Sequence, residues 1–387
     1  QKKELFDRFD EALAALNHRG SDAQKAILQG NIALGHTRLS IIDLDSRSNQ
    51  PMTDRSGRYT IVFNGEIYNY KELKQECEQA GFTFHTQSDT EVLLLLFMRL
   101  GKGCLEKLNG FFAFAVYDRK EISLFVARDR VGIKPLVYYA DANTFAFASE
   151  LKALIQLNFS REIDKVSVFT LFKLNYLPAP ATILKNHFKL EPGHFLEIKW
   201  DEEDLKWSKE TWYKIPYDAE NEKDLNPKDY QKSKAKLKKL VRESVQKRLV
   251  ADVPIGTFLS GGIDSSIITA IAKEEKNDIA AYSIGFPENL FFDESNHARQ
   301  VSKHLGVEHH VFDITKKDML QSVEDLLEHL DEPFGDSSII NVHVLSQKVR
   351  PFVRVALSGD GGDELFGGYH KHGAEFNLRY PGVREHI

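Results

Sequence analysis

From about Gln231 onward the chain alternates helix-like and strand-like segments, a rhythm that few folds accommodate. "KAKLKKLVRESVQKRL" reads as helix, "VPIGTFL" as strand and "DSSIITAIAKEE" as helix. "IAAYSIGF" is a strand, "ESNHARQVSKHLG" a helix and "EHHVFDI" a strand, followed by a helix around 317–330 and the strand "VRVALSG". Such alternation predicts an α/β doubly wound domain on a parallel sheet over residues 231–387. In that architecture the carboxyl ends of the strands line one crevice, so the loops there are the first place to seek a ligand.

The first half has a different rhythm. "RYTIVF", "FFAFAVYD", "ISLFVARD", "LVYYA" and "TFAFAS" are short, β-branched or aromatic runs separated by Asn, Gly, Asp or Lys turns. Helical patterns are fewer: "KKELFDRFDEALAAL", and "DTEVLLLLFMRLG", whose apolar stripe stops at Gly101. Many strands with few helices predict a layered α+β domain over residues 1–200. Residues 201–230 are charged, carry two prolines and lack apolar periodicity, and read as a linker.

Composition narrows the function. A net charge of −6 offers no basic face for nucleic acid. The longest apolar runs, "VLLLLFM" and "FFAFAVY", are too short to span a bilayer. The two cysteines, Cys77 and Cys104, form neither a zinc spacing nor a disulfide framework, which fits a reducing, cytoplasmic setting. Cys77 falls in a helix that reads as solvent-facing, and Cys104 just ahead of a strand. His309 and His310 in "EHHVFD" are adjacent on a strand, so they point to opposite faces and make a poor metal pair.

Two strand-end loops carry chemistry. "LSGGIDSS" (259–266) has the shape of a phosphate loop but lacks the lysine of G-x-x-x-x-G-K-[ST] and carries Asp264. Gly261 and Gly262 would let an anion approach the backbone, and Ser260, Ser265 and Ser266 would add hydroxyls. The alternative is a plain turn with Asp264 as the helix N-cap. "VALSGDGGDELFGGY" (355–369) repeats the pattern with Asp360, Asp363 and Glu364. If both loops face one ligand, Asp264 and Asp363 would repel a bare polyphosphate, but with Mg²⁺ between them they become its ligands.

"SGGIDSS" resembles the pyrophosphate loop of the N-type ATP pyrophosphatases. With "SIGF", "DES", "DEPFGDSS" and "LSGDGGDELFGGY" the chain resembles the glutamine-hydrolysing asparagine synthetase family. The resemblance implies ATP as cosubstrate, a carboxylate attacking its α-phosphorus, and pyrophosphate as leaving group. By motif match, Ser260, Gly261, Gly262, Asp264, Ser265 and Ser266 would hold pyrophosphate, and Asp264 and Asp363 would hold Mg²⁺. Leu259, Ile284, Ser358 and Gly359 would contact the nucleotide, while Asp360 matches the acidic position associated with the aspartyl-adenylate. The "SGDGGDE" form resembles the broad bacterial branch rather than the "SGEGSDE" form, so an acceptor other than aspartate stays open.

In the first half, Asn64-Gly65 in "YTIVFNGEIYNY" reads either as a hairpin turn or as a pair of donors facing an oxyanion. "LGHTRLSIIDL", "NGEIYN", "SDTEVLL", "GFFAFAVYD" and "RDRVGIKPLVY" resemble, in order, the class II glutamine amidotransferase domain. That domain is an N-terminal-nucleophile hydrolase with two sheets between helices (αββα). Carried over, Arg38 would meet the glutamine α-carboxylate, and Asp89, with the Glu66 region, its α-ammonium. Asn64 and Gly65 would form the oxyanion hole. Unaided by the resemblance, Arg38 reads as a surface ion pair and Asp89 as a helix N-cap. "LPAPATILKNHFKLEPGHFLEI" resembles the closing hairpin of that domain.

The family nucleophile is a first-residue cysteine, whereas Gln1 stands first here. "HRGSD" (18–22) resembles the family's "HRGPD", which a longer stretch normally precedes, so about a strand's worth of residues is expected ahead of Gln1. The synthetase half is likewise expected to continue past "GGYHKH". A homologue that keeps both folds without the nucleophile, and so does not hydrolyse glutamine, is the rival reading. The partners implied are small-molecule substrates, in an assembly that can be a homodimer.

Overall fold

The computed structural model describes residues 6–201, 204–216, 227–289, 291 and 293–379. Residues 2–5 of the expected first helix, 202–203 and 217–226 of the expected linker, and 380–387 lie outside them. The chain divides into two units, Gln1–Asp224 with His329–Asp336, and Leu225–Glu328 with Ser337–Ile387. Among the described residues no helix is long and apolar enough to cross a membrane.

The first unit opens with α1 (Phe9–Ala14) and the hairpin β1 (Ala23–Gln29) and β2 (Ile32–Arg38). The strands β3 (Met52–Thr53) and β4 (Tyr59–Ile67) follow, then α2 (Tyr70–Gln79), α3 (Asp89–Leu100) and α4 (Cys104–Lys107). Next come β5 (Gly110–Asp118), β6 (Ser123–Arg128), β7 (Val137–Ala140) and β8 (Phe145–Ala148). The unit is completed by α5 (Leu151–Gln156), α6 (Lys165–Leu174), β9 (His187–Lys189), β10 (His194–Trp200) and β11 (Leu205–Thr211).

A six-stranded sheet runs β11-β10-β6-β5-β4-β3, and a second sheet β8-β7-β9. Ala113, Ala115 and Tyr117 of β5 pack with Leu136 and Tyr138 beside β7, joining the two sheets face to face. The intervening Phe114 turns the other way, and through Phe125 this face meets Phe97 of α3. On the outer side of the second sheet, Val137 and Tyr139 pack on Leu151 and Leu154 of α5. The layers are therefore αββα. They explain why "FFAFAVY" is apolar without alternation: a central strand buried on both faces has no polar side to show.

Three expectations are corrected. Leu205–Thr211, expected as linker, is the strand β11, paired antiparallel to β10 from Trp200↔Leu205 to His194↔Thr211. Its side chains are mostly exposed, as an edge strand's can be, which hides it from a periodicity search. The closing hairpin is not a hairpin: β9 pairs with β7 in one sheet and β10 with β6 in the other. Cys77 does not face solvent, because Tyr70, Leu73 and Cys77 form the buried stripe of α2.

The second unit contains α7 (Pro227–Arg248), β12 (Ile255–Phe258), α8 (Ile263–Glu275), β13 (Ala280–Gly285), α9 (Ser295–Leu305) and β14 (Glu308–Asp313). It continues through α10 (Lys316–His329), α11 (Ser338–Val349), β15 (Val355–Leu357), α12 (Gly362–Phe366) and α13 (His370–Arg379). All pairings in its sheet are parallel, in the order β14-β13-β12-β15. Adjacent residues of β13 face opposite layers: Ala281 packs with Ala298 of α9, and Tyr282 with Val349 of α11. The sheet is thus wound on both faces. Its order reverses between β12 and β15, the point where such sheets bind ligands.

Candidate active sites

In the first unit, Asn64-Gly65 is not a turn. β4 runs straight through it, with Asn64 opposite Ala113 and Gly65 opposite Phe112 of β5. Gly65 is required by close backbone approach, since a Cβ there would lie 2.1 Å from the Phe111 carbonyl oxygen. The preceding residue is clamped from the side. Gln50 accepts from the Phe63 N–H at 2.6 Å and donates to its carbonyl at 3.1 Å, and His36 Nε2 donates to the same carbonyl at 3.1 Å. With β4 so held, the Asn64 Nδ2 group is buried and has no partner.

That amide lines a cavity of about 110 Å³ together with His36, Gly35, Phe63 and Ser149. Burial pushes the His36 pKa down to about 4, so the ring is neutral, and its Nδ1 is also buried and unpartnered. Among the described residues that line this cavity, Asn64 and His36 thus each carry a buried polar atom without a partner, amid largely apolar neighbours. Neither Gln50 nor His36 stands out in the sequence. A His on a strand preceding the charged loop is the only visible signal.

Arg38, at the end of β2, is buried rather than paired at the surface. Its Nη1 donates to the Asp45 carbonyl at 2.9 Å and to Asn49 Oδ1 at 2.8 Å, and its Nη2 to the carbonyls of Ile42 (3.2 Å) and Asp43. The guanidinium thus organises the loop after β2. Burial lowers its pKa, opposed by the charges of Asp43, Asp22, Asp89 and Asp45. Asp43 itself is buried, which resists ionisation, but hydrogen bonds from Gln87, Ser48 and Asp45 hold its carboxyl below the usual range.

Asp89 is not the N-cap of α3. Ser88 fills that role, accepting from Glu91 N at 3.3 Å. The Asp89 carboxylate instead accepts from Ile67 N–H at 3.0 Å, tying the helix start to the end of β4. Burial and the nearby Glu66 charge push its pKa up to about 7, against the pull of that hydrogen bond. The sequence-predicted Arg38, Asn64, Gly65, Glu66 and Asp89 thus fall on β2, β4 and the start of α3 in one unit. Cys77 and Cys104 are both fully buried, and burial pushes the Cys104 thiol up to about 12.

In the second unit, β12 and β15 are neighbours, paired Ile255↔Val355 to Thr257↔Leu357. The loops that leave them are therefore side by side. A Cβ on Gly359 would lie 2.9 Å from Ser265 N, and one on Gly362 would lie 2.5 Å from Asp264 Oδ2. Gly261 has φ +89° and approaches α9, where a Cβ would meet Ala298 N at 2.6 Å. The loop is stitched internally: Ser260 N and Oγ contact Ser265 Oγ at 3.3 and 3.0 Å, and Gly262 N donates to Ser260 Oγ at 3.2 Å.

Asp264 is not an N-cap either. Gly262 caps α8 without a side-chain bond, and Asp264 lies in the first turn. Ser266 Oγ is buried with no partner. Across the crevice, Ser358 Oγ donates to Asp360 Oδ2 at 2.8 Å, and Asp363 stands in the first turn of α12. Leu259 and Ile284 lie at the carboxyl ends of the neighbouring β12 and β13. No group of three or more His, Cys, Asp or Glu among the described residues could hold a metal. A cation between Asp264 and Asp363 would need phosphate and water oxygens to complete its shell, which is how Mg²⁺ is ordinarily held.

Residues 1–213 match the glutamine amidotransferase domain family, and residues 236–384 match the asparagine synthase family. The chain is 36% identical over 396 residues to a putative glutamine-hydrolysing asparagine synthetase 2 of Methanocaldococcus jannaschii, covering 96% of this chain and 74% of that protein. It is 36% identical over 382 residues to asparagine synthetase 1 of Bacillus subtilis, covering 98% and 58%. With asparagine synthetase 3 of the same organism it shares 34% identity over 406 residues, covering 99% and 63%. The chain thus spans between 58% and 74% of the length of these relatives.

Proposed function

The chain belongs to the glutamine-hydrolysing asparagine synthetase family, and on that premise we propose that it serves ATP-dependent amidation of aspartate with glutamine as nitrogen donor. The observation that carries this reading is the pairing of β12 with β15, which sets the Ser260–Ser266 and Ser358–Asp363 loops against each other. One loop offers backbone N–H groups, hydroxyls and the start of a helix to an anion. The other brings carboxylates that a metal-bound polyphosphate tolerates and a bare one does not.

At this site ATP lies along the crevice, its β- and γ-phosphates against Ser260, Gly261, Gly262, Ser265 and Ser266. Leu259, Ile284, Ser358 and Gly359 border the nucleoside end. An oxygen of the aspartate side-chain carboxylate attacks the α-phosphorus, the bond from that phosphorus to the bridging oxygen breaks, and pyrophosphate leaves. Asp360 orients the reacting carboxylate. Asp264 and Asp363 are the residues that would hold Mg²⁺, which would supply charge neutralisation at the phosphates. Ammonia then attacks the acyl carbon, loses a proton and expels AMP, giving asparagine. No lysine is needed in the first loop because the γ-phosphoryl group is never transferred.

Ammonia is released in the first unit. Asn64 Nδ2 and the Gly65 region face the oxyanion that forms when glutamine's amide is attacked. Asp89, with Glu66 nearby, receives the α-ammonium, and Arg38 the α-carboxylate, either through Nε or by exchanging a loop carbonyl. Neither Cys77 nor Cys104, both buried, suits attack on the amide; in the family that role belongs to an N-terminal cysteine. The partners are small molecules and the compartment is the cytoplasm, with a homodimer as the assembly.

The test is incubation of the full-length protein with ATP, Mg²⁺, aspartate and either glutamine or ammonium, following asparagine and pyrophosphate. Both products are expected from both nitrogen sources. AMP formation with another carboxylic acid and none with aspartate would reassign the acceptor, and a response to ammonium alone would identify a protein without glutaminase activity.

A further inference from the structure

His309 lies on β14, two strands from the first glycine-rich loop, and the mechanism above does not use it. Its Nε2 is 2.7 Å from Ser283 Oγ on β13, and its Nδ1 is 3.1 Å from Ser302 Oγ on α9. Ser283 Oγ donates in turn to the carbonyl of Leu259, the residue that leads from β12 into the loop. Ser283 and Ser302 are buried. A serine hydroxyl has one proton, and Ser283 spends it on Leu259, so His309 Nε2 must be the donor to Ser283. His310 points the other way, stacking on Tyr282 with ring centroids 5.3 Å apart.

We infer that His309 is a positioning residue for the pyrophosphate loop, acting through Ser283 on the Leu259–Ser260 peptide. The peptide is planar, so holding the Leu259 carbonyl fixes the direction of the Ser260 N–H on its opposite edge. The other end of Leu259 is also tied down, its N–H donating to the Tyr282 carbonyl at 2.9 Å. Ser260 N–H is thereby aimed at Ser265 Oγ, 3.3 Å away, a long contact that an anionic oxygen could outcompete. Desolvation, with the charges of Arg299 and His310, lowers the His309 pKa, which disfavours the charged ring, and the Ser283 bond to Leu259 is what assigns a proton to Nε2. Ser302 Oγ lies within reach of both Nδ1 and the Arg299 carbonyl, 3.1 and 3.0 Å away, and its single proton can serve one of them at a time.

The inference rests on the loop reading given above, and its test separates the two. ATP-dependent pyrophosphate release gives KM for ATP and kcat, while calorimetry gives the Kd of pyrophosphate itself without turnover. His309→Ala is expected to raise both KM for ATP and the pyrophosphate Kd about tenfold, roughly the effect of one hydrogen bond, with kcat within about twofold. His309→Gln keeps an Nε2 donor and should recover most of the loss. Ser283→Ala should match His309→Ala, and the double variant should be no worse than either.

Unchanged pyrophosphate affinity in a folded His309→Ala protein overturns the inference, as do equal losses in the Gln and Ala variants or additive losses in the double variant. Should His309→Ala fail to fold, the comparison of Ser283→Ala with His309→Gln decides in its place. If the wild type binds pyrophosphate and the variants weaken that binding, but ATP is not cleaved, the relay stands and the adenylation reading falls. If the wild type does not bind pyrophosphate at all, both fall.

Discussion

Gly362 lies directly against Asp264: a Cβ on Gly362 would stand 2.5 Å from Asp264 Oδ2. The two residues belong to loops separated by nearly 100 positions in the chain, and the carboxylate of one packs on the backbone of the other. Gly362→Ala must therefore displace the Asp264 carboxylate, the group proposed to hold Mg²⁺. We expect pyrophosphate release to fall by about 10²-fold, in the range of losing one preorganised electrostatic contact, while glutaminase activity persists. Steady-state assays of the two half-reactions check this, and equal loss of both would point to a general folding defect.

Part of that same crevice is legible in the sequence and part is not. The helix–strand alternation identified the parallel sheet, because periodicity and turn chemistry are local. That "LSGGIDSS" and "LSGDGGDE" meet depends on β12 pairing with β15, a non-local fact that only the expectation of one shared crevice hinted at. Asn64-Gly65 shows the opposite failure. Locally it is a strong turn signal, yet nine strand residues run through it because β5 pairs along its whole length. The Gln50 and His36 clamps on Phe63 left no trace in pattern, since single polar side chains have no period. β11 is hidden from the pattern because its exposed edge looks like a charged linker.

Asn64 offers a direct test of the oxyanion assignment. Its Nδ2 is buried and unpartnered, so a ligand oxygen would find the donor already in place. Asn64→Ala should lower glutamine-dependent kcat by about 10²–10³-fold and leave ammonia-dependent synthesis within a few-fold. Asn64→Asp, isosteric but lacking the donor, should be at least as impaired. Activity comparable to wild type in either variant would remove Asn64 from the reaction.

Arg38 has a structural task that a surface ion pair would not have. It satisfies three backbone carbonyls and Asn49 in the loop after β2. Arg38→Ala should destabilise the first unit by about 3 kcal/mol, since charge-assisted hydrogen bonds are lost and buried acceptors are left unpaired. Arg38→Lys can reach only some of these acceptors and should fall between. Thermal unfolding measures the loss. A selective rise in KM for glutamine with unchanged Tm would instead show that the guanidinium serves the ligand alone.

Asp89 makes glutamine binding dependent on pH, with a definite sign. Its carboxyl titrates at about 7 in the free site, because burial and Glu66 outweigh the Ile67 hydrogen bond. Only the ionised form can pair with an α-ammonium. KM for glutamine should therefore fall about tenfold per pH unit on approaching 7 from below and level off above it. For stability the sign reverses. The folded protein binds this proton more tightly than the unfolded chain, so stability is fully present below the ordinary carboxylate range and declines as pH rises from there to about 7. Asp89→Asn removes both effects at once: it should raise Tm relative to wild type at pH 8 but not at pH 4, and it should flatten the pH dependence of a KM that is high throughout. A wild-type KM that stays constant between pH 6 and pH 8 would rule out Asp89 as the ammonium's partner.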